Sequence, residues 1–137
     1  MSKPLISFLD LGLLHQEQLG PNCNLSQGKF VQIRHEEEGE FIIFACKELC
    51  IFHAQIVDLF CILQKPHWLF EINVKKDNGL LHDTKAKIIG GGYFDIIDVR
   101  LRINLSGNSL AYGDYEAYGL EEKLRSVERF KNYRVFC

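Results

Sequence analysis

The stretch KFVQIRHEEEGEFIIFA, residues 29–45, decides the fold class of this chain. Residues 29–34 alternate in a strand-like way, residues 40–45 are mostly apolar, and the two segments flank an acidic segment that ends in Gly39. Runs rich in β-branched and aromatic residues are typical of strands, and charged residues followed by glycine favour a turn between them. The stretch therefore predicts a β-hairpin with a solvated turn at 36–39.

A helical period replaces the strand pattern after the hairpin. Apolar residues recur three and four positions apart, at Leu49, Phe52, Ile56, Leu59, Phe60 and Leu63. This spacing is typical of an amphipathic helix. Pro66 follows the segment and is a common residue just beyond a helix end. We therefore predict a helix over 49–63, with His53 in its first turns.

The rest of the chain predicts further strands and a second helix. We expect an edge strand at 5–9, a loop at 19–28, a third strand at 68–74, paired strands at 93–97 and 99–105, a helix at 115–130 and a closing strand at 133–136. This order predicts a single domain over residues 1–137 of the α/β (α+β) class. Its simplest architecture is one mixed β-sheet flanked by two α-helices.

Charge and hydropathy exclude some classes of partner. The 137-residue chain carries a formal net charge of −2 without a basic stripe, so we expect no nucleic-acid partner. The sequence shows no apolar run long enough to span a bilayer and no secretory signal, so we expect no membrane association. We therefore expect a cytoplasmic protein with access to the nucleus. We also expect a monomer, although no motif in the sequence encodes the oligomeric state.

The cysteines favour no special chemistry. There are five, namely Cys23, Cys46, Cys50, Cys61 and Cys137, and they form neither a C-x-x-C pair nor a Cys/His cluster with zinc spacing. Buried reduced thiols are the favoured interpretation, with a disulfide or a metal role as the alternatives. We accordingly predict no metal site and no cofactor.

His53 is the first candidate for chemistry, although a lone histidine on a helix is more often structural than catalytic. Its neighbours Phe52, Ala54 and Ile56 predict a partly apolar setting. Such a setting holds an imidazole neutral, which is the state that a general base requires. A structural role is the alternative.

Two glycine-rich segments and one lysine are further candidates. Residues 106–113 follow a predicted strand and precede a predicted helix, so their amides could form an anion-binding nest, with Ser109 adding a hydroxyl. An ordinary strand-to-helix loop is equally compatible with this segment. Gly90, Gly91 and Gly92 indicate a bulge or a close backbone approach and do not form a P-loop. Lys29 is a candidate for phosphate binding only if it faces the same cleft as His53 and the 106–113 segment.

Taken together, these segments resemble the janus/ocnus family, which includes the small protein phosphohistidine phosphatases. The order and approximate spacing agree across residues 29–136. The matching motifs are Lys29-Phe30-Val31-x-Ile33-Arg34, Phe52-His53-Ala54-x-Ile56-x-Asp58, Gly90-Gly91-Gly92 and Gly107-x-Ser109-x-Ala111-Tyr112-Gly113.

The resemblance implies a fold, an activity and a site. The fold would be a compact mixed sheet with two flanking helices, and the activity would be metal-free hydrolysis of P–N bonds, chiefly of phosphohistidine in proteins, with inorganic phosphate as product. His53 would be the catalytic base, Lys29 would meet the phosphate, and the phosphate loop would be Ser109, Leu110, Ala111, Tyr112 and Gly113, acting largely through backbone amides. The resemblance also suggests a role in sex differentiation.

Three departures from the enzymes of that family define the rival hypothesis. This chain has Ala45 and Tyr93 where the enzymes carry arginine, and Phe52 where they carry tyrosine. Each missing guanidinium could have made charge-assisted bonds to a phosphoryl oxygen. The rival is therefore a weakened or inactive protein that binds phosphate or phosphoproteins for a regulatory purpose.

Overall fold

The computed structural model describes residues 3–14, 25–50, 52–70, 72–73 and 85–137. These residues form seven strands, β1 (Ser7–Asp10), β2 (Gln27–His35), β3 (Gly39–Cys46), β4 (Ile72–Asn73), β5 (Ala86–Ile97), β6 (Arg102–Ser106) and β7 (Arg134–Phe136). The described α-helices are α1 (Leu11–Leu14), α2 (His53–Gln64) and α3 (Leu120–Arg125). Short 3-10 helices cover Pro66–Phe70, Asp98–Arg100 and Glu128–Phe130.

The strands form one mixed sheet in the order β1-β3-β2-β5-β6-β7, with β4 paired to β5. The inner pairs β3–β2, β2–β5 and β5–β6 are antiparallel, whereas β1–β3, β4–β5 and β6–β7 are parallel. The predicted hairpin is confirmed, because Lys29 pairs with Ala45 and His35 pairs with Gly39. The α+β class with a mixed sheet is likewise confirmed.

Alternating residues of the sheet build two separate cores. On one face, the core under α2 includes Val31, Ile43, Ile56, Phe60 and Trp68. On the other face, the core against α3 includes Phe30, Phe44, Phe94, Leu124 and Phe130. Burial of each such side chain stabilises the fold by about 1.5–3 kcal/mol. The period of two along β2 and β3 thus places one helix on each side of the sheet.

A bulge in β5 changes which residues face α2. The register of β2 against β5 shifts between Gln32, which pairs with Gly90, and Ile33, which pairs with Ile88. Ile89 is therefore an extra residue on β5, and a bulge of this kind re-aims the side chains beyond it. Ile88 faces α2 before the bulge, and Tyr93 faces the same side after it, while Phe94 points into the opposite core.

Both predicted helices were too long. The helix predicted over 49–63 begins at His53, because residues 47–49 turn the chain after β3 and the Gln55 side chain accepts the Phe52 amide at 2.9 Å, which caps the helix there. The α-helix predicted over 115–130 is shortened to α3, because Gly119, directly before its first residue, has a φ of 74°. That left-handed conformation ends the preceding loop and lets α3 begin at Leu120.

Two strand boundaries were also wrong. A 3-10 helix takes residues 68–70 of the segment predicted as a strand at 68–74, because the Trp68 ring is buried, stacks on His35 at 4.8 Å and donates its indole N–H to Glu38 at 2.8 Å. Ile72 and Asn73 pair with the sheet as β4. The strand predicted at 99–105 begins at Arg102, since Leu101 adopts a φ of 48°. The edge strand and the closing strand are present as β1 and β7.

The cysteines only partly follow the sequence prediction. Cys50, Cys61 and Cys137 are free, and burial raises the pKa of the Cys50 and Cys61 thiols to about 11. Cys46 is disulfide-bonded, which corrects the expectation that every cysteine is reduced. Cys23 lies outside the described residues.

The triple glycine lets another segment of the chain lie directly against β5. The Gly91 amide donates to the Gly113 carbonyl at 3.2 Å, and a Cβ at Gly90 would collide with the carbonyl oxygen of Asp114 and lie 2.7 Å from the Tyr115 nitrogen. The glycines are therefore a requirement of close approach within a continuous strand.

Substitution Gly90→Ala should lower the free energy of unfolding by about 1–3 kcal/mol, because the new methyl group meets backbone atoms that cannot rotate away. Urea denaturation measures the change. Lys87→Ala, at an exposed position of the same strand, is the control and should change stability by less than about 0.5 kcal/mol. Equal stability of the two variants would contradict the close approach.

Candidate functional site

A cavity of about 460 Å³ opens where the N-terminal end of α2 meets β2 and β5. Its lining residues are Lys29, Phe52, His53, Ala54, Tyr93, Ser109, Leu110 and Ala111. The structure thus brings together Lys29, His53 and the first three residues of the predicted phosphate loop. Tyr112 instead packs its side chain into the core under α2, and Gly113 does not line the cavity.

His53 is the first residue of α2 and is 6% exposed. Its Nε2 lies 2.8 Å from the carbonyl oxygen of Gly92. A carbonyl oxygen can only accept a hydrogen bond, so Nε2 carries the proton in the neutral ring. Nδ1 then holds the lone pair, which makes it the nitrogen that can accept a proton or attack an electrophile.

Gly91 makes room for this imidazole. A Cβ on Gly91 would lie 2.8 Å from Cδ2 of His53 and 3.3 Å from Cβ of Ser109. The Cδ2–Nε2 edge of the ring therefore faces the sheet, and Nδ1 lies on the opposite side of the ring. The same glycine holds Ser109 beside His53, so the missing side chain at position 91 shapes the floor of the cavity.

Burial lowers the pKa of His53 below its ordinary value, since a charged imidazolium would lose its hydration in this setting. The positive charge of Lys29 lowers the pKa further, while the hydrogen bond to Gly92 acts in the opposite direction. The sum keeps the ring neutral at neutral pH. This agrees with the apolar setting that its sequence neighbours indicated.

Lys29 supplies the positive charge of the cavity. It pairs with Tyr93 across the β2–β5 ladder, and its Nζ lies 5.5 Å from the centroid of the Tyr93 ring. The Tyr93 ring in turn meets His53 edge-on, with centroids 5.6 Å apart. Attraction between the ammonium and the ring face holds the lysine beside the histidine. Among the described residues that line this cavity, Lys29 is the one lysine or arginine.

Several backbone amides of the predicted phosphate loop form hydrogen bonds within the loop. Ser109 N donates to Gly113 O at 3.1 Å, Gly113 N donates to Ser109 O at 2.8 Å, and Tyr112 N donates to the Ser109 hydroxyl at 3.1 Å. The amides of Leu110 and Ala111 make no hydrogen bond with the described residues. These two amides, with the Ser109 hydroxyl proton, are the loop's donors for an anion.

The structure has no α-helix directly after the predicted phosphate loop, although the sequence predicts one there. α3 begins only at Leu120, so no helix starts directly after Gly113. The N-terminal turn of α2 lies at the cavity instead, through Phe52, His53 and Ala54. The favourable partial charge therefore comes from the helix that carries the histidine.

The three departures from the enzymes have different structural outcomes. Ala45 is fully buried in the core under α2 and pairs with Lys29 on β2. Phe52 and Tyr93 are 65% and 45% exposed, and both line the cavity. Neither Phe52 nor Tyr93 was predicted from the sequence to have a role in the site, and Ala54 was also missed. The aromatic residues directly before the candidate histidine and directly after the triple glycine were the sequence signal that could have identified Phe52 and Tyr93.

No protein-family model matches the chain, and no curated protein matches it. Among the described residues, no group of three His, Cys, Asp or Glu side chains could hold a metal ion, and no helix there is long and apolar enough to cross a membrane.

The charge of Lys29 should be visible in the titration of His53. In Lys29→Met, the pKa of His53 should rise toward 6.5, because removal of a nearby positive charge favours the imidazolium. A pH titration of the His53 Cε1 proton by NMR measures the pKa of His53 in the native chain and in the variant. Lys87→Met is the control and should leave the pKa unchanged. An unchanged or lower pKa of His53 in Lys29→Met would contradict an electrostatic effect of Lys29 on His53.

Proposed function

We propose that the chain is a metal-independent, phosphohistidine phosphatase-like hydrolase of P–N bonds with a janus/ocnus-like fold. The observation that supports this most is the hydrogen bond from His53 Nε2 to Gly92, which leaves the Nδ1 lone pair in a cavity with a lysine. A neutral histidine beside a cation and unpaired amides suits phosphoryl transfer, in which the protein mainly positions groups and stabilises charge.

In the proposed reaction, Lys29 and the amides of Leu110 and Ala111 hold the phosphoryl oxygens. Water attacks phosphorus and gives a proton to Nδ1 of His53 as the new P–O bond forms. The P–N bond breaks, and its electron pair returns to the leaving imidazole nitrogen. That imidazole departs neutral if its other ring nitrogen already carries a proton.

Direct attack is the second route. Nδ1 of His53 would form a bond to phosphorus while the substrate imidazole leaves, and water would then hydrolyse the phosphorylated His53. Both routes need the same neutral tautomer. The phosphorylated protein substrate, the phosphate product, the monomeric state, the cytoplasmic or nuclear location and the role in sex differentiation come with the resemblance and are part of this proposal.

Incubation of the purified protein with a phosphohistidine peptide and EDTA tests the proposal. We expect phosphate release by the native chain and a loss of at least ~100-fold in His53→Ala, because the general base or nucleophile is gone. His67→Ala is the matched control, since that side chain is 57% exposed and lies outside the cavity. It should keep the native rate. Equal rates in the native chain and His53→Ala would exclude His53 from the chemistry.

One observation favours a second function, that of a non-catalytic phosphate or phosphoprotein binder. The described lining of the cavity includes one lysine, and three of the five loop amides are already bonded within the loop. Such a site could hold a phosphoryl group without stabilising its transfer. Calorimetric binding of the phosphopeptide, weakened by Lys29→Met and with no phosphate released, is the result expected of this function.

A further inference from the structure

The described residues cover only part of the side of the sheet that carries the His53 cavity. The core under α2 takes residues from β2, β3 and the first half of β5. In the second half of β5 and in β6 and β7, residues such as Phe94, Leu105 and Val135 point to the opposite face of the sheet, where they are buried against α3. Their outward neighbours form what we call the open face, and all are exposed or half-buried; they are Tyr93, Asp95, Arg102, Asn104, Ser106, Arg134 and Phe136.

The strand registers make this open face continuous. Tyr93 pairs with Ser106 and Asp95 pairs with Asn104, so β5 and β6 present their outward residues in rows. Asn104 in turn pairs with Phe136 on β7. No helix within the described residues forms a core with these outward side chains. These outward side chains therefore form a partly exposed sheet surface that begins at the cavity.

The open face is basic, in contrast to the chain as a whole. Arg102 and Arg134 lie on it, Lys29 and Lys47 lie at its border, and Asp95 is its acidic residue. None of these five charged side chains forms an ion pair with the described residues. Other cations of the chain, such as Arg34 and Lys123, are paired with glutamates. In a chain with a net charge of −2, four cationic side chains without an ion pair to the described residues thus lie on or beside this face.

A second cavity joins this surface to the candidate site. It has a volume of about 430 Å³ and is lined by residues that include Lys47, Asp95, Asn104 and Ser106. Lys29 and Tyr93 line both this cavity and the His53 cavity, so the two adjoin at that pair. A ligand with its phosphoryl group at His53 would continue past Tyr93 onto the open face.

Polar and aromatic groups on the open face suit a polypeptide. The Arg102 guanidinium lies 4.0 Å from the centroid of the Phe136 ring, and its Nε donates to Asn104 Oδ1 at 2.8 Å. The arginine is thereby held flat on the surface with its remaining N–H groups available, a geometry that matches carboxylates.

We propose that the open face binds the acidic polypeptide segment that flanks the phosphorylated residue of the substrate. This inference rests on the proposed function only in that the phosphorylated residue is placed at His53. Carboxylates of the segment face Arg102, Arg134 and Lys47, while its phosphoryl group reaches Lys29 and His53. The face therefore selects protein substrates by the sequence around the phosphorylated residue.

Calorimetry with two peptides tests this inference. Both carry the same non-hydrolysable triazole analogue of phosphohistidine, one between aspartates and glutamates and the other between lysines. The acidic peptide should bind the native chain about tenfold more tightly at low salt, and the preference should shrink as the ionic strength rises. Arg102→Glu/Arg134→Glu should abolish or reverse the preference.

Two further variants keep the result interpretable. Arg134→Glu alone removes no side-chain contact seen in the described residues and should still reduce the preference. Arg125→Glu, an exposed position on α3 at the opposite side of the sheet, is the matched control and should preserve it. Equal affinity for both peptides, or a preference unaffected by Arg134→Glu, would overturn the inference. Tighter binding of a single-stranded RNA of equal charge at this face would also overturn it.

The readouts separate this inference from the proposed function. Binding of the analogue peptides needs no turnover, so a charge preference can be measured even if the chain hydrolyses nothing. Release of phosphate from a small phosphoramidate by the native chain reports on the chemistry alone. Phosphate release without a preference between the peptides would support the proposed function and contradict the proposed docking surface.

Discussion

The absence of side chains in the middle of β5 is the constraint on which the rest of the site depends. Gly91 admits the His53 ring on one face of the strand, and Gly90 admits the backbone around Asp114 on the other. Any side chain at either position would displace an element of the fold by a direct collision with atoms that have nowhere to move. The helix, the loop and the strand meet at one place because nothing at positions 90 and 91 keeps them apart.

That contact also sets the chemistry of the histidine. The Gly92 carbonyl takes the Nε2 proton at 2.8 Å, burial keeps the ring neutral, and Lys29 acts on its pKa in the same direction as burial. The lysine is in turn held beside Tyr93. Orientation, tautomer and protonation state are therefore three consequences of one packing arrangement, and each would change if the helix moved relative to β5.

The cavity and the open face share a boundary at Lys29 and Tyr93, which are neighbours in the β2–β5 ladder. The bulge at Ile89 places Tyr93 on that side of the sheet. Without the extra residue, the second half of β5 would present its other set of side chains there. A single-residue irregularity in one strand thus decides which aromatic ring borders the candidate site and which residues form the open face.

The sequence by itself determined the elements whose signal is local. Alternation over 29–34, with the acidic turn and the apolar segment that follow, predicted the hairpin, and helical spacing predicted α2. Alternation and helical spacing both arise from which face of an element is buried. The motifs also pointed to the residues that the cavity brings together, Lys29, His53 and part of the loop. The tertiary structure decided the boundaries and the site geometry. Helix ends depended on a cap by Gln55 and on a left-handed Gly119, and the tautomer of His53 depended on a carbonyl 39 residues away in sequence. Contacts between distant segments leave no periodic trace in the chain, so only the folded arrangement of the sheet could specify them.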